Sequence, residues 1–186
     1  MTKRDSDLVI LKTAFLFTAV DGHIDASERR MFDKLAEQCK EIDAKAAKKI
    51  VPSMEKTAME IIAAKAKMTE KAFLDFFMSE TAKFCDWEAF AKDSSQVRRA
   101  FVMWFAMAMS DREFSPIERK ALARIRRLVN SFDLIGDDLL RETERQLKIV
   151  NKALASLPAA STIEASARLH GQVDRAYEAL EALIEG

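Results

Sequence analysis

The sequence predicts an all-α protein, a compact bundle of eight or nine helices. Only four glycines and three prolines occur in 186 residues, whereas sandwiches, barrels and propellers need many such residues for their turns. Apolar side chains recur at spacings of three and four, the period of an amphipathic helix. The composition, 49% hydrophobic and 32% charged, is typical of helical proteins. The scattered glycines also exclude a glycine-rich loop for a nucleotide phosphate.

Five helices are predicted in the first half of the chain. The first is apolar on nearly all sides and ends near Val20, and the second opens after Asp25. Proline lacks a backbone donor and disfavours the helical region for the residue before it, so we expect a break at Pro52. Thr69 is a suitable N-cap for the helix that follows it. The predicted ranges are 3–20, from 26 onward, 43–50, 53–68 and 70–85.

Three further helices are predicted in the second half, and a last one follows a linker. Asp93 and Gln96 have the spacing of a capping box, as do Ser161 and Glu164. The segment LPAAST, residues 157–162, is the linker. The predicted ranges are 94–110, 116–132, 137–156 and 162–185.

Two segments of the sequence match each other at a constant offset of 90 residues. Each predicts an apolar helix, an acidic turn and an amphipathic helix. The matched identities are Phe15 with Phe105, Asp21 with Asp111, Glu28 with Glu118, and Arg29 with Arg119. We therefore predict a single domain over residues 1–186, internally duplicated with approximate twofold symmetry. Its halves cover about 3–92 and 93–157, and the C-terminal helix 162–185 follows them.

The two acidic turns contain candidate helix caps and two further aspartates. Glu28 stands three residues after Asp25, and Glu118 three residues after Ser115, as capping boxes require. Asp21 and Asp111 are different, because each follows an apolar helix, whose dipole disfavours a negative charge at that end.

Two hypotheses account for these aspartates. In the first, Arg29 and Arg119, eight residues further along, turn back and form ion pairs with them. In the second, the symmetry brings the turns together, and their carboxylates bind a divalent cation. Such oxygen ligands suit magnesium, calcium or manganese. The candidate metal ligands are Asp21, Glu28, Asp111 and Glu118.

The motifs DGHIDASE (21–28) and SDREFSPIE (110–118), each behind an apolar helix, resemble the tellurite-resistance TerB-like family. That family also occurs as a module in membrane-anchored J-domain co-chaperones. The likeness covers about residues 8–40 and 98–130, and Arg112 departs from it where the motif prefers glycine. The resemblance implies a duplicated all-helical fold, a metal at the acidic turns and a role in bacterial stress-response assemblies.

Charge and hydropathy exclude several classes of function. Thirty basic and thirty acidic residues cancel, so no net field attracts nucleic acid. The longest runs without a charge, 100–110 and 153–163, are about half of what a membrane-spanning helix needs. The acidic residues of the first segment, MTKRDSD, argue against a secretory signal, so we predict a cytoplasmic protein. Cys39 and Cys85 are then expected to be reduced, buried thiols.

These observations predict a non-catalytic binding or scaffold protein of a tellurite-resistance-like stress response, with an unidentified protein partner. A divalent cation at the acidic turns is the one cofactor we consider. The alternatives are a metal-dependent enzyme that uses the same carboxylates and a metal-free, co-chaperone-like interaction module. Helix 162–185 either packs on its own domain or forms a homodimer. The basic face of Lys120, Arg124 and Arg127 is expected to be ion-paired by the acidic residues that follow it.

Overall fold

A computed structural model describes residues 1–24, 26–110, 115–129 and 135–185 of the chain. These residues form nine α-helices and one short 3₁₀ turn and contain no strand, which confirms the all-α class and the number of helices for this part of the chain. None of the described helices is both long and apolar enough to cross a membrane. The helices are α1 (Lys3–Phe17), α2 (Ala26–Gln38), α3 (Ala44–Lys65), α4 (Glu70–Ala82), α5 (Trp87–Ala91), α6 (Ser94–Ala108), α7 (Pro116–Leu128), α8 (Asp137–Ser156) and α9 (Ile163–Glu185).

The predicted break at Pro52 is wrong, because α3 continues through it. A proline inside a helix costs about 3 kcal/mol relative to alanine. Pro52 itself is exposed, while Ile50, Met54 and Ile61, on both sides of it, are at most 3% exposed. Each fully buried side chain of this size contributes about 1.5–3 kcal/mol. The shared buried face therefore outweighs the local cost, and one helix forms where two were predicted.

Two helix starts differ from the prediction. Helix α5 is absent from the predicted set, yet Asp86 caps it by accepting a hydrogen bond from the Ala89 amide at 3.0 Å. Helix α9 begins where predicted, but Thr162 is its cap, since the Thr162 hydroxyl accepts from the Ala165 amide at 3.1 Å. The predicted capping box of Ser161 and Glu164 is therefore wrong, because Ala165 stands at N3 from Thr162 and has no side chain that can accept a hydrogen bond from the cap.

The core is centred on α6, in which every residue from Ala100 onward is buried. The Trp104 indole Nε1 donates a hydrogen bond to the Ile10 carbonyl of α1 at 3.2 Å, so this large side chain also fixes α1 against α6. Four aromatic rings surround Trp104, with centroids 5.4–6.1 Å from its own, a spacing that favours aromatic pairs. They belong to Phe17, Trp87, Phe90 and Phe101.

A buried ion pair joins the start of α1 to α6. The Asp7 side chain is only 3% exposed and accepts a hydrogen bond from the Arg99 guanidinium. Its second oxygen accepts from the Glu41 backbone amide at 3.3 Å, in the connection between α2 and α3. Arg99 also donates to the Cys39 sulfur at 3.3 Å. One carboxylate thus fixes three segments of the chain.

The two cysteines are buried free thiols, as predicted. Burial raises the pKa of both Cys39 and Cys85 to about 12. The thiolate is the reactive form of cysteine, so these side chains pack as small apolar groups in the folded protein.

Helices α8 and α9 form a hairpin with a small core of its own. Four buried side chains make this core, separate from the main one, namely Val150, Ala153, Val173 and Ala176. Most side chains between residues 154 and 172 are exposed, and Ile163 is 87% exposed. The far half of α9 is held by the body of the protein. Lys34 of α2 lies 4.8 Å from the Tyr177 ring centroid, and Arg98 of α6 donates to the Leu183 carbonyl at 2.5 Å.

Candidate functional site

The first acidic turn lies between α1 and α2. Gly22 follows α1 and has a φ of 101°, a left-handed conformation that favours glycine. The Asp21 carboxylate is 12% exposed and contacts His23, accepting from its amide at 3.2 Å and lying 2.9 Å from its Nδ1. Lys65, at the end of α3, donates a hydrogen bond to the Asp21 carbonyl oxygen. The Lys65 ammonium group therefore places a positive charge at this turn.

The predicted ion pair between Arg29 and Asp21 is wrong. Arg29 lies 3.8 Å from Glu55 of α3, with both side chains about half exposed. Arg29 stands in the first turn of α2 and reaches across to α3, whereas Lys65 brings its positive charge to the Asp21 turn. Glu28, beside Arg29 in the sequence, is only 3% exposed.

The second acidic turn precedes α7, and its capping box is confirmed. The Glu118 carboxylate accepts from the Ser115 amide at 2.8 Å, and the Ser115 hydroxyl accepts from the Glu118 amide at 3.3 Å. At the end of α6, the Met109 carbonyl accepts a hydrogen bond from Asn151 of α8 at 2.7 Å. Asp111 lies outside the described residues.

Contacts around the two turns correspond to each other. Arg119 of α7 lies 3.8 Å from Glu144 of α8, as Arg29 of α2 does from Glu55 of α3. A polar side chain of α3 reaches the turn after α1, and one of α8 reaches the end of α6. Helices α3 and α8 therefore each contribute one acid and one polar side chain to these contacts.

The predicted cation site falls partly on residues that the structure describes. In the described ranges, no group of three or more histidine, cysteine, aspartate or glutamate side chains is placed to hold a metal. The Asp21 side chain is 12% exposed, whereas Glu28 and Glu118 are each 3% exposed. Asp111 is outside those ranges, so its convergence with Asp21 stays a prediction.

The basic side of α7 is ion-paired partly by the expected acids and partly by others. Arg126 and Arg119, beside the basic face, meet Asp137 and Glu144, which follow α7 in the chain. Lys120 lies 2.6 Å from Glu70, and Arg124 pairs with Asp75, both acids being on α4. The sequence favours the acidic residues that follow α7 directly, because only neighbours along the chain are visible in it. The packing of α7 against α4 supplies nearer partners.

The surface has two grooves, one between α2 and α3 and the other between α7 and α8. The first groove lies between α2 and α3, is lined by Phe32, Asp33 and Val51 among others, and has a volume of about 450 Å³. The second groove lies between α7 and α8, above α6, and has a volume of about 280 Å³. Leu122 and Arg141 are among the side chains that line it.

The two grooves occupy matching positions in the sequence. Five residues of the first groove have a counterpart in the second groove 90 positions later, the offset that relates the acidic turns. The five pairs are Phe32 and Leu122, Asp33 and Ala123, Ala36 and Arg126, Ala47 and Asp137, and Val51 and Arg141. The two residues of each pair differ in type, so a search for identical residues does not detect the grooves. Only the offset of 90 residues relates one groove to the other in the sequence.

The grooves differ in charge. Among the described residues that line the first groove, Asp33, Glu37 and Lys40 are charged, which gives a net charge of −1. The described residues that line the second groove include three arginines and two acids, which together carry a net charge of +1. These side chains are Arg119, Arg126, Arg141, Asp137 and Glu144.

Comparison with models of protein families, with curated proteins and with solved structures yields no match to this chain. The function is therefore inferred from the residues and contacts described above.

Proposed function

We propose that this chain is a non-catalytic binding or scaffold protein, in which two related helical units each present a groove to a partner. The observation that carries the proposal is the pair of grooves at matching positions. Binding sites are concave and few per protein. A concave surface that recurs between the second and third helices of each unit therefore favours a role in binding.

The proposal includes the internal duplication. Three observations support it: the matched acidic turns, the similar Arg29–Glu55 and Arg119–Glu144 contacts, whose arginines stand 90 residues apart and whose acids stand 89 apart, and the matched lining of the grooves. The helix order supports it too, since α1, α2 and α3 correspond in sequence to α6, α7 and α8.

We further propose a cytoplasmic setting in a bacterial stress-response assembly. The support for this setting is the TerB-like resemblance of the two acidic turns. In such an assembly, a chain with two grooves can hold one partner on each unit.

Site-specific photo-cross-linking in cells tests the binding role. A benzophenone amino acid is placed at Asp33 in the first groove or at Ala123 in the second, two exposed positions. The matched control is Lys56, which is 89% exposed on α3 and outside the lining of both grooves. We expect discrete adducts from at least one groove position and none from Lys56. Identical adducts at all three positions, or no adduct at either groove, would contradict the proposal.

A divalent cation at the acidic turns is the second candidate function. The observation in its favour is that Asp21 and His23 place a carboxylate oxygen and an imidazole nitrogen 2.9 Å apart at the surface. Lys65 opposes it, because its ammonium group contacts the same turn and repels a second cation.

Calorimetric titration with magnesium, calcium, manganese and zinc tests this candidate. If the turn binds metal, the heat of binding disappears in Asp21→Asn and persists in Glu88→Gln, a control at an exposed acid of α5. Lys65→Met removes the opposing charge and should increase the affinity. The metal hypothesis fails if no cation gives a heat that depends on Asp21, in the presence or absence of Lys65.

A further inference from the structure

We propose that two copies of this chain associate through the outward face of α9, with the two α9 helices packed antiparallel. The outward face is the side of α9 that points away from the body of the protein. Its residues are Glu164, Ala167, Arg168, Gly171 and Arg175. The inference goes beyond the proposed binding function and does not depend on it, because these residues are outside the described lining of both grooves.

Helix α9 packs on its own chain through one side. Val173 and Leu180 are 7% and 5% exposed and face the body of the protein. Gly171 stands nine residues before Leu180, about two and a half helical turns, so it lies on the opposite side of the helix. Glu164 and Arg175 stand eleven residues apart, about three turns, and share that opposite side.

Gly171 lies inside α9 although none of the described residues around it requires a glycine. Glycine is unfavourable inside a helix because it loses more conformational freedom on folding than any other residue. A positive φ occurs at Gly22, and Gly171 does not share it. A Cβ added at Gly171 would meet no described atom within 4 Å. The space beside Gly171 is therefore open, and the absence of a side chain allows another helix to approach closely.

The charged side chains of the outward face have no partner in the described part of the chain. Glu164, Arg168 and Arg175 are exposed, and none of the three forms an ion pair with another described residue. Charges on α8 behave differently, since Arg141 lies 2.6 Å from Asp138 on the same helix. The outward face therefore keeps three charges that another molecule can pair.

The order of these charges along α9 is complementary to itself. In a pair related by a twofold axis, every contact occurs twice with the roles exchanged. An axis between positions 169 and 170 places Glu164 of each copy level with Arg175 of the other copy. The same register places the long side chain of Arg168 over Gly171, where the space is open. A second copy therefore supplies the partners that the chain itself does not.

The composition of this end of the molecule favours a second copy over a membrane surface. Helices that lie on membranes present basic and aromatic residues to the lipid, whereas the outward face combines an acid with arginines and has no aromatic side chain. In the proposed register, Glu178 lies level with Ser161, inside the uncharged run 153–163. Ile163, directly before Glu164, is 87% exposed and is shielded from water by the second copy.

The contact between the two helices is short. In this register residues 161–178 overlap, which is roughly 27 Å of helix at 1.5 Å per residue. Two such helices bury less area than a standard interface, which takes about 800 Å² from each partner. We therefore expect a weak, reversible dimer that forms at high protein concentration.

Sedimentation velocity of the full chain tests the association. We expect a monomer below about 10 μM and a growing share of dimer up to about 1 mM, as suits a small interface, with less dimer at high salt. Gly171→Gln fills the open space with a polar side chain and should abolish the dimer. Glutamine forms helices better than glycine, so this variant should melt at or above the temperature of the parent. A chain that stays monomeric throughout, or a Gly171→Gln variant that dimerises like the parent, would overturn the inference.

Exchange of charges tests the antiparallel register. Glu164→Lys and Arg175→Glu should each weaken self-association about 4-fold to 25-fold, because two symmetry-related ion pairs are lost and each exposed pair contributes about twofold to fivefold. An equimolar mixture of the two variants should recover the dimer, since the new lysine of one then faces the new glutamate of the other. Glu88→Lys, at an exposed acid of α5, is the matched control and should leave the dimer unchanged. Failure of the mixture to recover the dimer would contradict the proposed contact.

Photo-cross-linking identifies what covers the face in cells. A benzophenone amino acid replaces the exposed Ile163, and we expect an adduct of twice the mass of the chain that contains peptides of this chain alone. An adduct with a different protein or with lipid, in place of this one, would assign the face to another occupant and overturn the inference.

Discussion

Arg99→Met is expected to lower the free energy of unfolding by about 3–5 kcal/mol, the usual cost of breaking a buried ion pair. The substitution keeps an unbranched apolar side chain but removes the guanidinium that donates to Asp7. The Asp7 carboxylate, 3% exposed, would then keep the Glu41 amide as its described donor. Arg99 is itself 17% exposed, so water can enter, and we expect a value near the lower limit, about 3 kcal/mol.

The expected loss is large relative to the stability of a domain, which is commonly about 5–15 kcal/mol. For a chain of this length, 3 kcal/mol corresponds to a decrease of about 6–12 °C in the melting temperature. Urea unfolding followed by circular dichroism measures the difference at constant temperature. Arg145→Met, in an exposed pair with Glu142, is the matched control and should change the free energy of unfolding little.

A double variant separates the ion pair from simple packing. Asp7→Leu combined with Arg99→Met replaces both charges by apolar groups, and such replacements are often neutral or stabilising. We therefore expect the double variant to be more stable than Arg99→Met alone. A loss below about 1 kcal/mol in Arg99→Met, or a double variant as unstable as the two single changes added together, would refute the account of this contact.

Three further predictions follow from local structure. Pro52→Ala should raise the free energy of unfolding by about 1–3 kcal/mol, because alanine restores a backbone donor at an exposed position inside α3. Urea unfolding measures this change, and unchanged stability would mean that α3 has already adapted to the proline. Gly22→Ala should cost about 1–2 kcal/mol by the same assay, since φ is 101° and the new Cβ would lie 3.2 Å from Lys65 Cδ; a gain would contradict the left-handed turn. Hydrogen bonds, first from Arg145 and then from Gln146, lower the pKa of Glu142 from 4.5 to about 2. The resulting stabilisation is present above pH 4.5 and lost as the pH falls toward 2. Because the pair is solvent-screened, the contribution is small. Glu142→Gln should make the decline of stability between these pH values shallower, and an identical decline in both proteins would argue against the pKa shift.

Local sequence signals predict much of this fold because caps and apolar spacing act within a few residues. Ser115 and Glu118 form the capping box that their spacing indicates, and Thr69 caps α4 as its position suggests. The predictions that are wrong concern positions where packing between distant parts of the chain determines the local structure. Pro52 remains inside a helix because the residues on both sides share one buried face, and that face is created by packing against the rest of the core.

The candidate site is predicted less completely, because charge pairing depends on neighbours in space. Arg29 meets Glu55 instead of Asp21, and Lys65, 44 residues further along than Asp21, supplies the positive charge at the first turn. Asp7 stands among polar and charged residues near the start of the chain, so nothing in the local sequence marks it as buried. The matched groove positions differ in residue type, so the sequence relates the two grooves only through the offset of 90 residues.

The α8–α9 hairpin has a small core that is separate from the main core. The two regions therefore differ in how well they protect backbone amides from hydrogen exchange. Regions with few buried contacts open at lower free energy than a central core, and their backbone amides exchange hydrogen with solvent sooner. Amides near residues 154–172 should therefore exchange well before those of α6, whose side chains are buried from Ala100 onward. The protein can open reversibly at the tip of this hairpin while α1 and α6 stay packed together.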